Sequence, residues 1–316
     1  MPIPEPVPFT VITGFLGAGK TTYLNTLIGQ GLPRNSLIVV NDFGDINIDA
    51  ELIEYRDEQI MRLGNGCICC TLGGTLAEQL AQAMRLETRP AAIYIEASGV
   101  AQPTRIADIA RTSRQLQLAS VVCLVDGSQI TKHAADRYTA EVWRSQIAGA
   151  SQLLVNRLPA AHSEAYSQAL ALLKRLNPDA WLDPCGGSTE AVGLPRLPMP
   201  HRPLVPVQNV KSDAAWGSVS LIYRSAISGQ RLEALLQEYS DVVLRAKGIL
   251  ARAGHNLPHV FQLSGGLSSW LPARRAPAAN QLVCIGIKGQ RFEALVTELR
   301  QLDCSPRAAL PQAQSA

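Results

Sequence analysis

The sequence predicts an α/β fold with a doubly wound, mostly parallel sheet built around a phosphate-binding loop, followed by a smaller α+β domain. Three observations predict it. The stretch Val11 to Thr22, VITGFLGAGKTT, matches G-x-x-x-x-G-K-[ST] through Gly14, Gly19, Lys20 and Thr21. Short apolar, β-branched runs then alternate with stretches of helical spacing, the pattern of parallel strands joined by crossover helices. A proline- and glycine-rich shift from Pro178 to Pro206 separates that pattern from a second, different one.

The loop is entered by a β-rich run, Phe9 to Thr13, and left by Leu24, Leu27 and Ile28 at helical spacing. This strand–loop–helix context favours a phosphate loop over a glycine turn before an ordinary helix. Glycines let backbone N–H groups turn inward around a polyphosphate, and the helix adds its positive end. Gly14, Gly17, Ala18, Gly19, Lys20, Thr21 and Thr22 are therefore the candidate phosphate-binding residues. Lys20 is expected to reach the β- and γ-phosphates, and the Thr21 hydroxyl to complete a Mg²⁺ shell.

Ser36 to Val40 reads as a buried strand running into a polar loop, Asn41 to Asp49, where a nucleotide-sensing switch would fall; Asp42, Asp45 and Asp49 offer hard oxygen ligands for Mg²⁺ or a water network. An acidic, solvated loop is the competing reading. Next comes GNGCICCTLGG, with Cys67, Cys69 and Cys70. Three thiols flanked by glycines suit a soft metal such as Zn²⁺ or Cu⁺. In an extended segment Cys67 and Cys69 face one way and Cys70 the other, so two are expected to ligate together with a third ligand from elsewhere. Such an incomplete shell suits a transfer site, since structural zinc is closed by four protein ligands. The alternative is that they are small buried hydrophobes.

Leu76, Leu80 and Met84 mark a helix, and Ala91 to Ile95 a strand ending in Glu96-Ala97-Ser98-Gly99. A strand-end acid followed three residues later by glycine places a water-bound Mg²⁺ contact, Glu96, and a γ-phosphate-sensing amide, Gly99. Ala119 to Val125 and Leu153 to Val155 are further strands, ending in Asp126 and Asn156. Lys20, Asp42, Glu96, Asp126 and Asn156 all follow strands, where ligands of such sheets collect. The domains expected are 1–190, a linker 191–215, an α+β domain 216–303 and a disordered tail 304–316. In the second domain Ser218 to Arg224 reads as a strand, and Leu232, Leu235, Leu236, Tyr239 and Val243 as one helical stripe. A segment with turns, a strand at Leu282 to Ile287 and a helix carrying Phe292, Leu295, Val296 and Leu299 complete it. His255 and His259 read as loop histidines, because Gly254 and Pro258 oppose a helix that would bring them together. Cys123 and Cys284 lie inside predicted strands and read as packing.

With 316 residues and 47% hydrophobic content there is ample material for two cores. A net charge of +3 without basic blocks gives no electrostatic case for nucleic acid or an anionic membrane. The start, MPIPEPVP, lacks a signal-peptide pattern, and no run approaches the ~18 apolar residues of a membrane span, so a cytoplasmic location is expected. The odd number of cysteines, seven, argues for available thiols rather than a disulfide framework.

The ordered set GFLGAGKTT, NDFG followed by Asp49, GCICC and EASG resembles the CobW-type family of GTPases, and VLRAKG and LVCIG look similar in the carboxy-terminal half. The resemblance implies a P-loop GTPase related to the metal-insertion proteins of urease and hydrogenase maturation. It implies GTP/GDP with Mg²⁺ at Thr21, Asp42 and Glu96, Zn²⁺ or Co²⁺ at the cysteines, and Lys20 and Glu96 as catalytic residues. It also implies delivery to a client metalloenzyme or cofactor-assembly protein, and leaves a nucleotide- or metal-dependent homodimer open. Three departures stand out. Asp42 replaces the usual glutamate, only five histidines are present, and the guanine-reading Asn-Lys-x-Asp is here Asn156-Arg157-Leu158-Pro159. Pro159 has no side-chain acceptor for a guanine, so weaker discrimination between GTP and ATP is expected. An NTPase or kinase with structural cysteines, and a nucleotide-holding module without turnover, remain the alternatives.

Overall fold

The structure, a computed structural model, describes residues 5–40, 61–62, 74–184, 216–264, 266–273 and 280–302. The expected switch loop with Asp42, the thiols Cys67, Cys69 and Cys70, the linker 191–215 and the tail 304–316 lie outside the described residues. The chain divides into two compact units, 1–216 and 217–316.

The strands of the first unit are β1 (Val7–Thr13), β2 (Leu37–Val40), β3 (Met61–Arg62), β4 (Ile93–Glu96), β5 (Leu116–Asp126), β6 (Gln152–Asn156) and β7 (Trp181–Pro184), in the spatial order β3-β2-β4-β1-β5-β6-β7. Every pairing among them is parallel. From β1 the chain crosses to β2 over the place later filled by β4, then returns and builds outward on the other side. That reversal next to β1 opens a crevice at the carboxyl ends of the strands.

Both sheet faces are covered, which is why the strands read as continuous apolar runs rather than alternating ones. Phe9, Val11, Leu37, Val39, Ile93 and Ile95 share one core with Leu76 and Leu80 of α2 (Gly74–Ala83) and Ile106 and Ala110 of α3 (Pro103–Thr112). Their strand neighbours Ile12, Ile38, Val40 and Tyr94 enter another core with Tyr23, Leu24, Leu27 and Ile28 of α1 (Lys20–Gln30). The stripe on α1 keeps it against the sheet. Gly31, at φ 96°, stops it by donating its N–H to Ile28 O (3.2 Å). Leu27 is fully buried, so truncation to alanine there costs about 2–5 kcal/mol.

Three further helices follow: α4 (Ile130–Ala135), α5 (Ala140–Ala148) and α6 (Glu164–Leu176). The Asp136 carboxylate accepts from Tyr138 N and Thr139 N, both at 2.8 Å, and turns the chain into α5. Ser163 caps α6 by accepting from Tyr166 N.

The second unit holds a five-stranded sheet in the order β11-β10-β9-β12-β8, from β8 (Trp216–Tyr223), β9 (Val243–Ala251), β10 (Pro258–Ser264), β11 (Leu267–Pro272) and β12 (Asn280–Ile287). Pairs β9–β10, β10–β11 and β9–β12 are antiparallel. Helices α7 (Gly229–Glu238) and α8 (Gln290–Gln301) share one core with the sheet, through Leu232, Leu235 and Leu236, Phe292, Leu295 and Leu299. Two expectations are corrected here. Val243 begins β9 instead of continuing the α7 stripe, because the helix ends at Glu238 and Val243 N donates to Tyr239 O (2.9 Å) as the chain turns. The expected segment with turns is made of three strands, β9, β10 and β11. Cys123 in β5 and Cys284 in β12 are buried, and burial pushes both thiols up to about 12.

Candidate functional site: a phosphate loop at the sheet's carboxyl edge

Residues 14–19 join β1 to α1 across the crevice. Gly14, Gly17 and Gly19 adopt φ of 136°, 78° and 97°, backbone that only glycine holds without strain. At Gly14 space is short as well, since a Cβ would stand 2.3 Å from Leu124 O on β5. The loop thus curls over the neighbouring strand. Lys20, 5% exposed, folds back inside it and donates through Nζ to Gly14 O (2.9 Å) and Phe15 O (3.3 Å). Gly19, the residue before α1, brings no side-chain cap, and the first turn has no acidic residue. An anion is the partner that such a helix start favours.

Thr21 lies one residue into α1, and its Oγ1 donates to Glu96 Oε1 at 2.9 Å. Glu96 ends β4, next to β1, and is 2% exposed. A hydroxyl and a carboxylate side by side at the mouth of a phosphate loop are a hard-oxygen pair of the kind Mg²⁺ selects, so the donor set fits the expected ion. Thr22 is exposed and its carbonyl accepts from Thr26 Oγ1 (3.0 Å); Ala18 is buried. The chain after Glu96 turns sharply. Ala97 N donates to Ile12 O (2.8 Å), Ala101 N to Ser98 O (3.0 Å), and at Gly99 a Cβ would meet Leu16 Cδ2 at 2.3 Å. Gly99 therefore presses directly on the phosphate loop.

Sequence reasoning missed Gln146. It sits on α5, fully buried, and its Nε2 donates to Gly99 O (3.0 Å) and Ala101 O (3.1 Å). One amide thus fastens the turn after Glu96. A lone glutamine in a helical stretch carries no motif, and only the fold reveals its 47-residue reach. His133 on α4 was missed too. Its ring lies 4.6 Å from that of Phe15 in the phosphate loop and 6.3 Å from Trp143 on α5. Burial first, then Lys132, lowers its pKa, against opposing pulls from Asp126 and Asp136.

At the end of β6, Asn156 Nδ2 donates to Ala18 O (2.8 Å). Arg157 follows in the left-handed region (φ 48°), and its Nη2 donates to Gly17 O (2.7 Å) while Nη1 pairs with Asp126 at 3.1 Å. Asp126 also accepts from Ser128 N (3.0 Å). The strand-end residues β1, β4, β5 and β6 supply thus converge on one loop. Among the described residues no group of three or more histidine, cysteine or acidic side chains forms a metal cluster, and no helix is long and apolar enough to cross a membrane.

The "CobW/HypB/UreG, nucleotide-binding domain" family matches residues 8–182, and the "Cobalamin synthesis protein cobW C-terminal domain" matches residues 216–302. Among curated relatives, "Zinc chaperone CobW" of Sinorhizobium sp is 38% identical over 103 residues, covering 31% of this chain and 29% of that protein. "Zinc-regulated GTPase metalloprotein activator 1" of Schizosaccharomyces pombe is 30% identical over 184 residues, covering 55% and 44%. "Zinc chaperone YjiA" of Escherichia coli is 29% identical over 183 residues, covering 55% and 57%. The crystal structure of Zn(II)-bound YjiA GTPase aligns with 94% of this chain and 99% of its own at 22% identity and a TM-score of 0.44. The chain thus spans less than two thirds of the length of these curated relatives.

Proposed function

The chain belongs to the CobW/HypB/UreG nucleotide-binding family, and from that premise we propose that it is a GTP-hydrolysing metallochaperone that binds Zn²⁺ or Co²⁺ at Cys67, Cys69 and Cys70 and passes it to a client protein. The observation that carries the nucleotide half is the assembled phosphate loop, with Thr21 and Glu96 joined at 2.9 Å beside it. The family match and the relatives' names support the metal half.

In this reading Gly14, Gly17, Ala18, Gly19 and Thr22 line the polyphosphate, and Lys20 exchanges its loop carbonyls for phosphate oxygens. Thr21 and Glu96 would hold Mg²⁺. Mg²⁺ supplies charge neutralisation on the transferred phosphoryl group. Gly99 senses the γ-phosphate, Gln146 holds the turn that presents it, and Asn156 braces the loop on the side of the base. Asp42 would be a further carboxylate for Mg²⁺. The thiols lie in sequence between Asp42 and Glu96, so ordering both around a triphosphate repositions them. The client is a metalloenzyme or cofactor-assembly protein, the setting is the cytoplasm, and a homodimer formed with nucleotide or metal is the further partner. Residues 1–190 and 216–303 are the two domains, with 191–215 as linker.

The test is a competition titration against a chelating dye with a non-hydrolysable GTP analogue and with GDP. Zn²⁺ or Co²⁺ is expected to bind more tightly with the GTP analogue than with GDP, by about 5- to 150-fold, the size of ordinary allosteric coupling. Cys67→Ser or Cys69→Ser is expected to remove the difference and leave Mg²⁺-nucleotide binding intact. Equal affinities in both states would reduce the cysteines to a structural site.

A further inference from the structure

The β9–β10 hairpin carries two imidazoles that the nucleotide site does not use. His255 lies in the turn, whereas His259, expected in a loop, is the second residue of β10 because it pairs with Leu250 and Pro272. Residues 252–257 reverse the chain through Gly254 (φ 81°), and His255 N donates to Arg252 O at 3.1 Å. No helix is needed to join the two histidines. The reversal sets the His255 and His259 rings 4.7 Å apart between centroids, at 73° to one another. The first ring is exposed and the second half-buried.

The tautomer of His259 follows from its neighbour. Its Nδ1 lies 2.9 Å from Leu257 O. A carbonyl only accepts, so in the neutral ring Nδ1 carries the proton and Nε2 keeps its lone pair. A backbone carbonyl on the far nitrogen is how metal-binding imidazoles are oriented. Behind the ring stand Trp270, 6.4 Å away, and Phe261, 4.6 Å beyond it, which hold the position of His259. The guanidinium of Arg252 is engaged over Trp270 at 4.9 Å.

The distance between the rings has a chemical meaning. With metal–nitrogen bonds of about 2.0–2.1 Å, two imidazoles on one tetrahedral ion have ring centres roughly 5 Å apart. We propose that His255 and His259 form a two-nitrogen site for an imidazole-preferring divalent cation, Zn²⁺ or Ni²⁺. Two protein ligands leave the other coordination positions to water, an exchanging site rather than a closed structural one. The proposal draws on neither the thiols nor the nucleotide reading.

The experiment follows the imidazoles of the chain's five histidines by long-range ¹H–¹⁵N correlation during titration with ZnSO₄. It is run on the full chain with Cys67, Cys69 and Cys70 replaced by serine, and on the unsubstituted chain with Zn²⁺ in excess of its thiols. Before metal, His259 is expected to show a protonated Nδ1. With Zn²⁺, His255 and His259 shift together along one isotherm. His255→Asn weakens the response of His259 about tenfold or more, because the second ligand no longer acts at high effective concentration. Substituting the exposed His162 by asparagine changes neither. Independent shifts of the two rings, or an unchanged His259 response in His255→Asn, would overturn the proposal and leave an edge-to-face pair of imidazoles. Nucleotide affinity, measured on the same samples, reports separately on the first unit.

Discussion

Replacing Gln146 by methionine keeps the length of the side chain and deletes the amide that fastens the Gly99 turn to α5. The side chain is fully buried, and its Nε2 serves two carbonyls, Gly99 O at 3.0 Å and Ala101 O at 3.1 Å. A buried acceptor left without a donor costs about 1–3 kcal/mol, so two of them set an upper range near 6 kcal/mol. The mutant also stops burying the glutamine's own Oε1, which has no hydrogen-bond partner among the described residues. That relief offsets part of the loss. The expected net destabilisation is about 2–4 kcal/mol. It is read as a lowered urea midpoint at unchanged slope. Gln146→Glu is expected to be worse, since it aims an acceptor at two acceptors. Gly99 presses on Leu16 of the phosphate loop, so triphosphate affinity is expected to drop more than diphosphate affinity. A loss under about 0.5 kcal/mol with nucleotide affinities unchanged would refute the reasoning, because surface-like substitutions already span that range.

Lys20→Ala is expected to abolish triphosphate binding or turnover while the chain stays folded, since charge-assisted contacts to phosphate are worth ~1.5–3 kcal/mol; unchanged affinity and turnover in equilibrium binding and phosphate release would contradict it. The native chain is expected to prefer GTP over ATP only modestly, and Pro159→Asp to raise that preference by the ~1–3 kcal/mol of one buried hydrogen-bonded group, roughly 5- to 150-fold in competition binding. His133 has a folded-state pKa below its ordinary 6.5, so the unfolded chain binds the proton more readily. Its contribution is then full above pH 6.5 and is lost as the pH falls through the lower folded value. Urea midpoints of the first unit are expected to drop between pH 7.5 and 5, with His133→Phe flattening that slope.

Much of the site was legible because its chemistry is local in sequence. Gly14, Gly19, Lys20 and Thr21 lie within eight positions, and a loop that curls on itself needs only its own glycines and the strand and helix at its ends. Glu96 and Asn156 could be singled out as strand-end residues, since parallel strands announce themselves as apolar runs and their carboxyl ends collect ligands. The two packed faces and the alternation of strand and helix follow from the same hydrophobic patterning.

What only the tertiary structure decided is which distant groups meet. Period and propensity describe a chain's own neighbours, whereas strand order sets the partners: β4 returns beside β1, and that alone brings Glu96 to Thr21, 75 residues away. Gln146 reaches Gly99, and His133 reaches Phe15, by packing that leaves no periodic trace. In the second unit Val243 extended a helical stripe by spacing but turned into a strand, because pairing with β10 and β12 outweighs one more helical contact. His255 and His259 were set apart for lack of a helix, and a hairpin turn joined them. Sequence determined the local phosphate chemistry, since backbone conformation and residue type suffice for it. Long-range pairing decided everything that requires two segments to agree.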